Sequence, residues 1–83
     1  MYEIIIEPPA ERFIKKLSKE QQNKTINFIE KLSENPHKGK RLVGNLKGLR
    51  SLRLDNIRII YKLEEVKLII LVLRAGYRAN IYS

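Results

Sequence analysis

The first half of the chain shows two stretches of helical spacing behind one short strand. Residues 2–7 are rich in β-branched side chains, which predicts a strand, and the prolines at 8 and 9 end it and favour the first turn of a helix. From Pro9 to Leu17 the apolar residues recur three and four positions apart, at Ala10, Phe13, Ile14 and Leu17. We predict a helix there, with one packed face and one solvated face.

A second helix is predicted immediately after the first. Ser18 followed by Gln21 fits a capping box, in which the serine hydroxyl accepts a hydrogen bond from a backbone N–H at the helix start. Helical spacing continues at Thr25, Phe28, Ile29 and Leu32. It fades before Pro36, because a proline disfavours helix at the residue that precedes it. Since the junction is short, the two helices should form an antiparallel hairpin.

The second half of the chain alternates in the manner of β-strands. Residues 35–48 hold Pro36 and three glycines among basic residues, which is typical of a loop. Beyond this loop, strands are predicted at Leu49–Leu54, Ile57–Leu63, Val66–Arg74 and Asn80–Tyr82, with turns at Asp55-Asn56 and Glu64-Glu65. In the second strand the odd-numbered residues from Ile57 to Leu63 share a face that the helices should cover, and Arg58 and Lys62 lie on the other face.

These elements predict the fold class. A chain of 83 residues has the size of one small domain, and it buries only about 60% of the surface that it exposes when unfolded. Its core must therefore be thin. We predict a single domain over residues 1–83 of the α+β class, in which an N-terminal strand and a helical hairpin pack in two layers on a mainly antiparallel sheet.

Charge narrows the possible partners. The 17 Lys and Arg residues outnumber the 9 Asp and Glu residues and leave a net charge of +8. Residues 36–62 alone hold eight of the bases and one acid, Asp55, so this third of the chain carries +7. Such clustering is the electrostatic signature of phosphate-backbone binding. A solubilising surface and a patch for an acidic protein partner are the alternative interpretations.

Composition excludes several classes of chemistry. Without cysteine the chain has neither a disulfide framework nor a thiolate metal site, and a single histidine cannot form an imidazole cluster. That residue, His37, lies in the predicted loop without evident partners and is interpreted as an ordinary exposed residue. No phosphate-binding glycine motif precedes a helix. We therefore expect no metal ion and no other cofactor.

Two features of the sequence bear on its location. The longest apolar run, residues 68–73, spans six residues, far fewer than the roughly 20 that a transmembrane helix needs. The opening segment, residues 2–7, carries acids where a signal peptide has bases, and it has no small-residue cleavage site. We expect a cytoplasmic protein that has no membrane partner.

The predicted strands bring together a group of arginines and a tyrosine. Arg53 and Arg58 flank one turn, and Arg78 and Tyr82 lie at the last predicted strand. In RNA cleavage without a metal ion, the ribose 2′-hydroxyl attacks the adjacent phosphate, so the protein must neutralise charge, assist proton transfers and hold the bases apart. Guanidinium groups bind phosphate oxygens and stay charged, and a tyrosine stacks on a base or donates a proton. Taken singly, each residue also fits a structural role, as a surface strand position or as an anchor of an edge strand.

The order of these motifs resembles the RelE/ParE toxin superfamily. The resemblance rests on residues 46–61 (LKGLRSLRLDNIRIIY), on residues 72–78 (VLRAGYR) and on Ile81-Tyr82. The opening is similar as well, with a strand that leads through Pro8-Pro9-Ala10 into residues 13–17 (FIKKL). The agreement in the order of elements extends over essentially the whole chain.

The resemblance implies a toxin of a type II toxin–antitoxin pair that is neutralised by a RelB-like antitoxin wrapped around it. RelE-like members cleave mRNA in the ribosomal A site, which implies mRNA on the ribosome as the second partner. By position, Arg58 and Arg78 match the family's phosphate-binding arginines, and Tyr82 matches its C-terminal active-site tyrosine. Arg53 matches one of two basic residues on the preceding strand. Further RNA contacts are expected from Lys47, Arg50, Ser51 and Tyr77.

One position departs from the family pattern. Ser51 stands where the best-studied members carry a lysine proposed to act in proton transfer. Serine is a poor base at neutral pH and Arg53 practically never loses its proton. Either Lys47, Tyr77 or a ribosomal group therefore serves instead, or cleavage is weak. Tyr77 stands where many relatives have histidine, and ordinary strand packing accounts for it equally well.

Three functions therefore follow from the sequence. The leading prediction is a ribosome-dependent mRNA endoribonuclease that inhibits translation. The second is a ParE-like toxin that binds and poisons DNA gyrase without chemistry of its own, against which the presence of Tyr82 argues mildly. The third is a degenerate relative that only binds its antitoxin, through an exposed sheet edge or a helix groove.

Overall fold

A computed structural model describes residues 1–79, which form two α-helices and five β-strands. The helices are α1 (Pro8–Lys15) and α2 (Lys19–Glu30), and α2 runs on into a 3-10 turn at Lys31–Ser33. The strands are β1 (Glu3–Ile6), β2 (Lys40–Arg41), β3 (Leu49–Leu54), β4 (Ile57–Glu64) and β5 (Ile69–Tyr77). A second 3-10 turn lies at Gly44–Leu46. The strand predicted at Asn80–Tyr82 lies outside the described residues.

The five strands form one sheet in the order β1-β5-β4-β3-β2. The meander β3-β4-β5 is antiparallel, as predicted, and β1 pairs with β5 in parallel, with Glu3 opposite Ile69. The predicted loop before β3 also contains β2, whose Lys40 pairs with Ser51. A mixed five-stranded sheet with two helices confirms the predicted α+β class.

The helices cover one face of the sheet and form the core with it. From the helices, Ala10, Ile14 and Ile29 are at most 5% exposed, and they belong to the same buried cluster as Ile59 and Tyr61 of β4. The predicted covered face of β4 is therefore confirmed. Ile60, the next residue along the strand, is outside this cluster because its side chain points to the other face.

Local signals place the two helices close to their predicted positions. The hydroxyl of Ser18 accepts a hydrogen bond from the backbone N–H of Gln21 at 3.2 Å, which confirms it as the cap of α2. α1 ends two residues before its predicted end, at Lys15. The side-chain amide of Gln22 donates to the carbonyls of Lys15 and Leu17 at 3.1 and 3.0 Å, so it satisfies acceptors that a helix end leaves open.

The last strand differs most from its prediction. β5 begins three residues later than predicted, because residues 65–68 form a turn in which Leu68 has a φ of 57°. It also ends three residues later, because its pairing with β4 continues as far as Tyr77 opposite Ile57. Val66 and Leu68 are apolar like strand residues, yet they are 100% and 48% exposed in the turn. The predicted bounds were therefore wrong at both ends.

Neither helix in residues 1–79 combines the length and the apolar character that crossing a bilayer requires.

Candidate nucleic-acid interface

We call the face of the sheet that turns away from the helices the open face. Residues opposite each other in a β-ladder point to the same side of the sheet, so the strand register assigns every side chain to a face. Within residues 1–79, strands β2 to β5 place one acid on the open face, Glu64, which pairs with Lys62 at 3.1 Å. The other residues that the register assigns to it from these strands are Lys40 from β2, Leu49, Ser51 and Arg53 from β3, Arg58, Ile60 and Lys62 from β4, and Ile69, Leu71, Arg74 and Gly76 from β5. Cations therefore gather on the side of the sheet that does not form the core.

Arg53 and Arg58 face each other across the β3–β4 hairpin. Opposed residues in an antiparallel ladder have Cα atoms about 4.5–5.5 Å apart, so both guanidinium groups reach the same small region. Like charges directly opposite each other are unfavourable, and an anion bound between them removes the repulsion. The pair is therefore suited to a phosphate group, whose oxygens match the guanidinium donors.

Arg74 adds a third arginine, which was not among the RNA-binding residues predicted from the sequence. It lies opposite Ile60 and thus diagonally across from Arg58, at a Cα distance of about 7–8 Å. Arg74 and Arg53 are both exposed, and within residues 1–79 neither forms an ion pair with a carboxylate. Alternation along β5 is the signal in the sequence for Arg74. It stands two residues before Gly76, so both lie on the same face of the sheet. We call Arg53, Arg58 and Arg74 the arginine cluster.

The turn between β3 and β4 is fixed beside this cluster. Asp55 in the turn has a φ of 55°, and its carboxylate accepts a hydrogen bond from Lys24 Nζ at 2.8 Å. That hydrogen bond raises the pKa of Lys24 and attaches the turn to α2. The backbone N–H of Arg78 donates to the carbonyl of Asn56 at 2.8 Å, which brings Arg78 to the same turn. Tyr82 lies outside the described residues.

Ser51 lies in the interior of the open face. It is opposite Ile60 and two residues from Arg53, and Ser51 and Ile60 are only 6% and 2% exposed. A serine hydroxyl donates and accepts hydrogen bonds but does not take up a proton at neutral pH. Its position suits contact with a group bound to the arginines, and its chemistry does not suit a general base.

Tyr77 lies on the covered face of the sheet. It is paired with Ile57, and its ring meets the ring of Phe13 on α1 edge-on, at a centroid distance of 5.1 Å and an angle of 80°. An aromatic pair of this geometry contributes about 0.5–1.5 kcal/mol beyond its buried area. The structure therefore gives Tyr77 a packing contact and does not bring it together with the arginine cluster.

Two further predicted RNA contacts also lie away from the cluster. Arg50 is on the covered face, where its Nη1 donates to the carbonyls of His37 and Gly39 at 3.2 and 2.9 Å. Lys47 is exposed in the loop before β3. It stands two residues before the start of β3, whereas Arg53 is the last residue but one of that strand. Both side chains therefore belong to the opposite end of β3.

Tyr61 attaches the loop before β2 to the core. Its buried hydroxyl donates a hydrogen bond to the carbonyl of Pro36 at 2.7 Å and accepts one from the backbone N–H of Gly39 at 2.9 Å. Burial raises the pKa of this phenol. A Cβ atom on Gly39 would lie 2.6 Å from the Tyr61 oxygen, so only glycine fits. His37 is exposed as predicted, but it does have a partner, because its Nε2 lies 2.6 Å from Oε1 of Glu65.

Comparisons with known sequences agree with the order of the motifs. The profile of the ParE-like toxin of type II bacterial toxin–antitoxin systems matches residues 4–83. A comparison with curated proteins gives no match. The profile thus extends over almost the whole chain and includes both helices and, apart from Glu3 at the start of β1, the five strands described in residues 1–79.

Solved structures agree with the fold. A chain of the toxin–antitoxin complex RelBE2 from Mycobacterium tuberculosis has a TM-score of 0.86 and 26% identity, over 93% of this chain and 98% of that one. The archaeal RelE–RelB complex from Pyrococcus horikoshii OT3 gives 0.77 and 21%, over 95% and 97%. The isolated E. coli RelE toxin gives 0.78 and 18%, over 99% and 92%. The resemblance read from the sequence is confirmed, and the chain belongs to the ParE-like toxins of type II bacterial toxin–antitoxin systems.

Proposed function

We propose that this toxin is a ribosome-dependent mRNA endoribonuclease that needs no metal ion, inhibits translation and is neutralised by a RelB-like antitoxin. The observation that carries the proposal is the arginine cluster on the open face. The resemblance to RelE-like toxins supplies the substrate. The charge of +7 in residues 36–62 supports an RNA partner.

The arginines supply the electrostatic part of the reaction. As the 2′-oxygen bonds to phosphorus and the bond to the 5′-oxygen breaks, negative charge builds on the phosphate oxygens. Donors that a rigid strand already holds in place stabilise this charge, and removing one such donor typically lowers the rate by about 10²–10³. Arg58 and Arg78 are proposed to bind the scissile phosphate, and Arg53 is proposed to bind the neighbouring backbone.

Two proton transfers complete the reaction. Tyr82 is proposed to stack on a base or to give a proton to the 5′-oxygen that leaves. Ser51 is proposed to hydrogen-bond the substrate, because a serine is not a base. Since Tyr77 and Lys47 lie apart from Arg53, the group that takes the 2′-hydroxyl proton is proposed to belong to the ribosome. Free RNA is then bound but not cut.

The antitoxin is proposed to be an acidic, partly disordered chain with an amphipathic helix. A toxin with a net charge of +8 attracts such a chain, and ordering on binding suits a partner that proteolysis later removes. RelBE2 and the archaeal RelE–RelB pair were solved as complexes of toxin and antitoxin. These relatives support a protein partner of the same kind for this chain.

Primer extension on mRNA from cells that express the toxin without antitoxin tests the proposal. Discrete cuts in the ribosomal A site are expected from the wild type. They should disappear in Arg58→Ala and Arg78→Ala and weaken in Tyr82→Phe. Arg12→Ala is the matched control, because Arg12 is an exposed arginine on α1. Intact messages in cells whose growth is arrested would contradict a nuclease.

Gyrase inhibition is the second candidate, because the matching family is described as ParE-like and because Ser51 replaces the lysine expected of a nuclease. A supercoiling assay with purified gyrase separates the two. Inhibition by the purified chain, together with uncut mRNA, supports a gyrase binder, whereas normal supercoiling with cut mRNA supports the nuclease. Growth without any arrest would instead favour a toxin that only binds its antitoxin.

A further inference from the structure

A cavity of about 620 Å³ lies at the end of the sheet opposite the β3–β4 turn. We call it the edge pocket. It is formed where β2, the loop after it and the start of β3 meet the end of β4, and its main side chains are Arg41, Leu42, Lys47, Leu49, Arg50 and Leu63. Its volume is in the range of sites that hold a few side chains or a small molecule.

The cations of the edge pocket are not neutralised by its own residues. Arg41 and Arg50 are directly opposite each other in the β2–β3 ladder, which sets two like charges side by side. Arg50 uses Nη1 for two backbone carbonyls, and within residues 1–79 its guanidinium makes no other hydrogen bond. Lys47 adds a third cation, and none of the described residues that line the pocket is an acid. An anionic group bound there would relieve the repulsion.

The rest of the pocket is aliphatic. Leu42, Leu49 and Leu63 line it, and Val43 at its rim is 83% exposed. Val66 and Leu68, in the turn that follows β4, are exposed at the same end of the sheet. Exposed apolar side chains beside a cavity are typical of protein contact sites. Among residues 1–79, no aromatic ring on which a nucleotide base could stack lines the pocket.

We infer that the edge pocket binds an acidic peptide segment that inserts aliphatic side chains between Leu42, Leu49 and Leu63 and sets its carboxylates on Arg41 and Arg50. A second copy of this chain is a poor occupant, because the net charge of +8 makes the contact repulsive. The inference rests on the proposed antitoxin, since an acidic amphipathic chain would supply such a segment. It also gives Lys47 and Arg50 a protein partner, whereas the sequence alone predicts RNA contacts for them.

The edge pocket and the arginine cluster are separate sites. Arg50 and Arg53 are three residues apart on β3, about 10 Å at about 3.3 Å per residue, and they point to opposite faces of the sheet. Leu49 lines the pocket at the far end of the open face, four residues from Arg53, so a peptide in the pocket leaves the arginine cluster uncovered. The antitoxin would anchor at one end of the molecule and block RNA with another part of its chain.

Backbone amide NMR spectra of the full chain test the inference. The probe is a synthetic amphipathic peptide with leucines on one helical face and glutamates beside them, and the control peptide has lysines in place of the glutamates. Shifts confined to residues 41–50 and Leu63 are expected with the acidic peptide alone. Arg41→Glu should weaken its binding about tenfold, as the loss of a charge-assisted contact predicts. Arg12→Glu, which makes the same change of charge on α1, should alter binding less than twofold by the same measure.

Three results of these measurements would overturn the inference: equal weakening of peptide binding by Arg41→Glu and Arg12→Glu, chemical-shift changes outside the pocket, or no binding. So would shifts at the pocket with single-stranded RNA and none with the acidic peptide. Circular dichroism melting of Arg41→Glu confirms that the variant is folded. Because cleavage of ribosomal mRNA is measured on the wild type, cleavage without peptide binding refutes only the pocket, and peptide binding without cleavage refutes only the nuclease.

Discussion

The two faces of β4 differ in what they contribute to the molecule. On the covered face, Ile57, Ile59 and Tyr61 are at most 3% exposed and belong to the core, whereas on the open face Arg58 and Lys62 remain in contact with solvent. Side chains that follow each other along one strand therefore alternate between the core and the solvated face on which RNA binding is proposed. The face on which a residue lies, and not its position along the chain, should therefore decide what its substitution changes.

The open face is not uniformly polar. Ile60 and Ser51 lie opposite each other on it and are nearly as buried as the core. The arginines therefore stand around an interior that water reaches poorly. Charges near such a surface interact more strongly than charges in bulk water, which favours a tightly held phosphate.

The largest effect is expected at Ile59, on the covered face. Its side chain is 0% exposed, so Ile59→Ala leaves a cavity and should lower the free energy of unfolding by about 2–5 kcal/mol. Urea denaturation followed by circular dichroism measures the loss. Ile59→Val is the graded control, with an expected loss of about 0.5–1.5 kcal/mol. An equal loss in both variants would contradict a closely packed covered face.

Arg58→Ala, one residue away, should have a large effect on mRNA cleavage and a small effect on stability. The proposed loss of phosphate binding lowers the rate of mRNA cleavage by about 10²–10³. The free energy of unfolding should fall by only about 1 kcal/mol, since most substitutions outside the core cost little. Cleavage by Arg58→Ala at the wild-type rate, with Arg12→Ala as the reference, would refute the role proposed for the open face.

Tyr61→Phe should lower the stability of the covered face in a way that depends on pH. The phenol contacts Pro36 and Gly39, and leaving both groups unpaired should cost about 1–3 kcal/mol at neutral pH. Because the folded-state pKa of Tyr61 is raised above 10.0, its contribution is complete below that pH and is lost as the pH rises through the raised pKa. Denaturation curves between neutral and strongly alkaline pH should converge for the wild type and Tyr61→Phe. A constant difference across this range would be inconsistent with a buried, protonated phenol.

The smallest effect is expected from Arg74→Gln. Replacing Arg74 removes one phosphate contact from the proposed RNA interface, so the slope of log affinity against log salt for single-stranded RNA should fall by about 0.7. The free energy of unfolding should change by less than about 0.5 kcal/mol. Fluorescence titrations at several salt concentrations measure the slope. An unchanged slope, or the same change in Arg12→Gln, would remove Arg74 from the interface.

Much of the fold could be predicted because its signals are local. Ser18 and the prolines before α1 place the helices, and the turn at Asp55-Asn56 places β3 and the start of β4. The order of the strands could not be predicted, because alternation along β1 does not show that it pairs in parallel with β5. β2 was missed since two residues in a glycine-rich loop are too few to alternate.

The candidate site was predicted only in part, because the turn between β3 and β4 is a local signal and the pairing of β4 with β5 is not. Arg53 and Arg58 flank a two-residue turn, so their juxtaposition follows from the hairpin. Alternation along β5 puts Arg74 on the same face as Gly76, but the pairing of Gly76 with Arg58, which brings that face to the other arginines, cannot be read from either strand alone. Tyr77 and Arg50 have residue types that suit RNA, and only the register shows that they lie on the covered face.

The hydroxyl of Tyr61 also determines where this chain tolerates changes of length. It contacts the carbonyl of Pro36 and the N–H of Gly39 at once, so one added residue between them would break a hydrogen bond and push backbone against the ring. Between Val43 and Lys47 the chain is largely exposed, and Gly44 has open space around its Cα. Insertions, epitope tags and the natural variation in length among related toxins should therefore fall in the second half of this loop and be rare in the first.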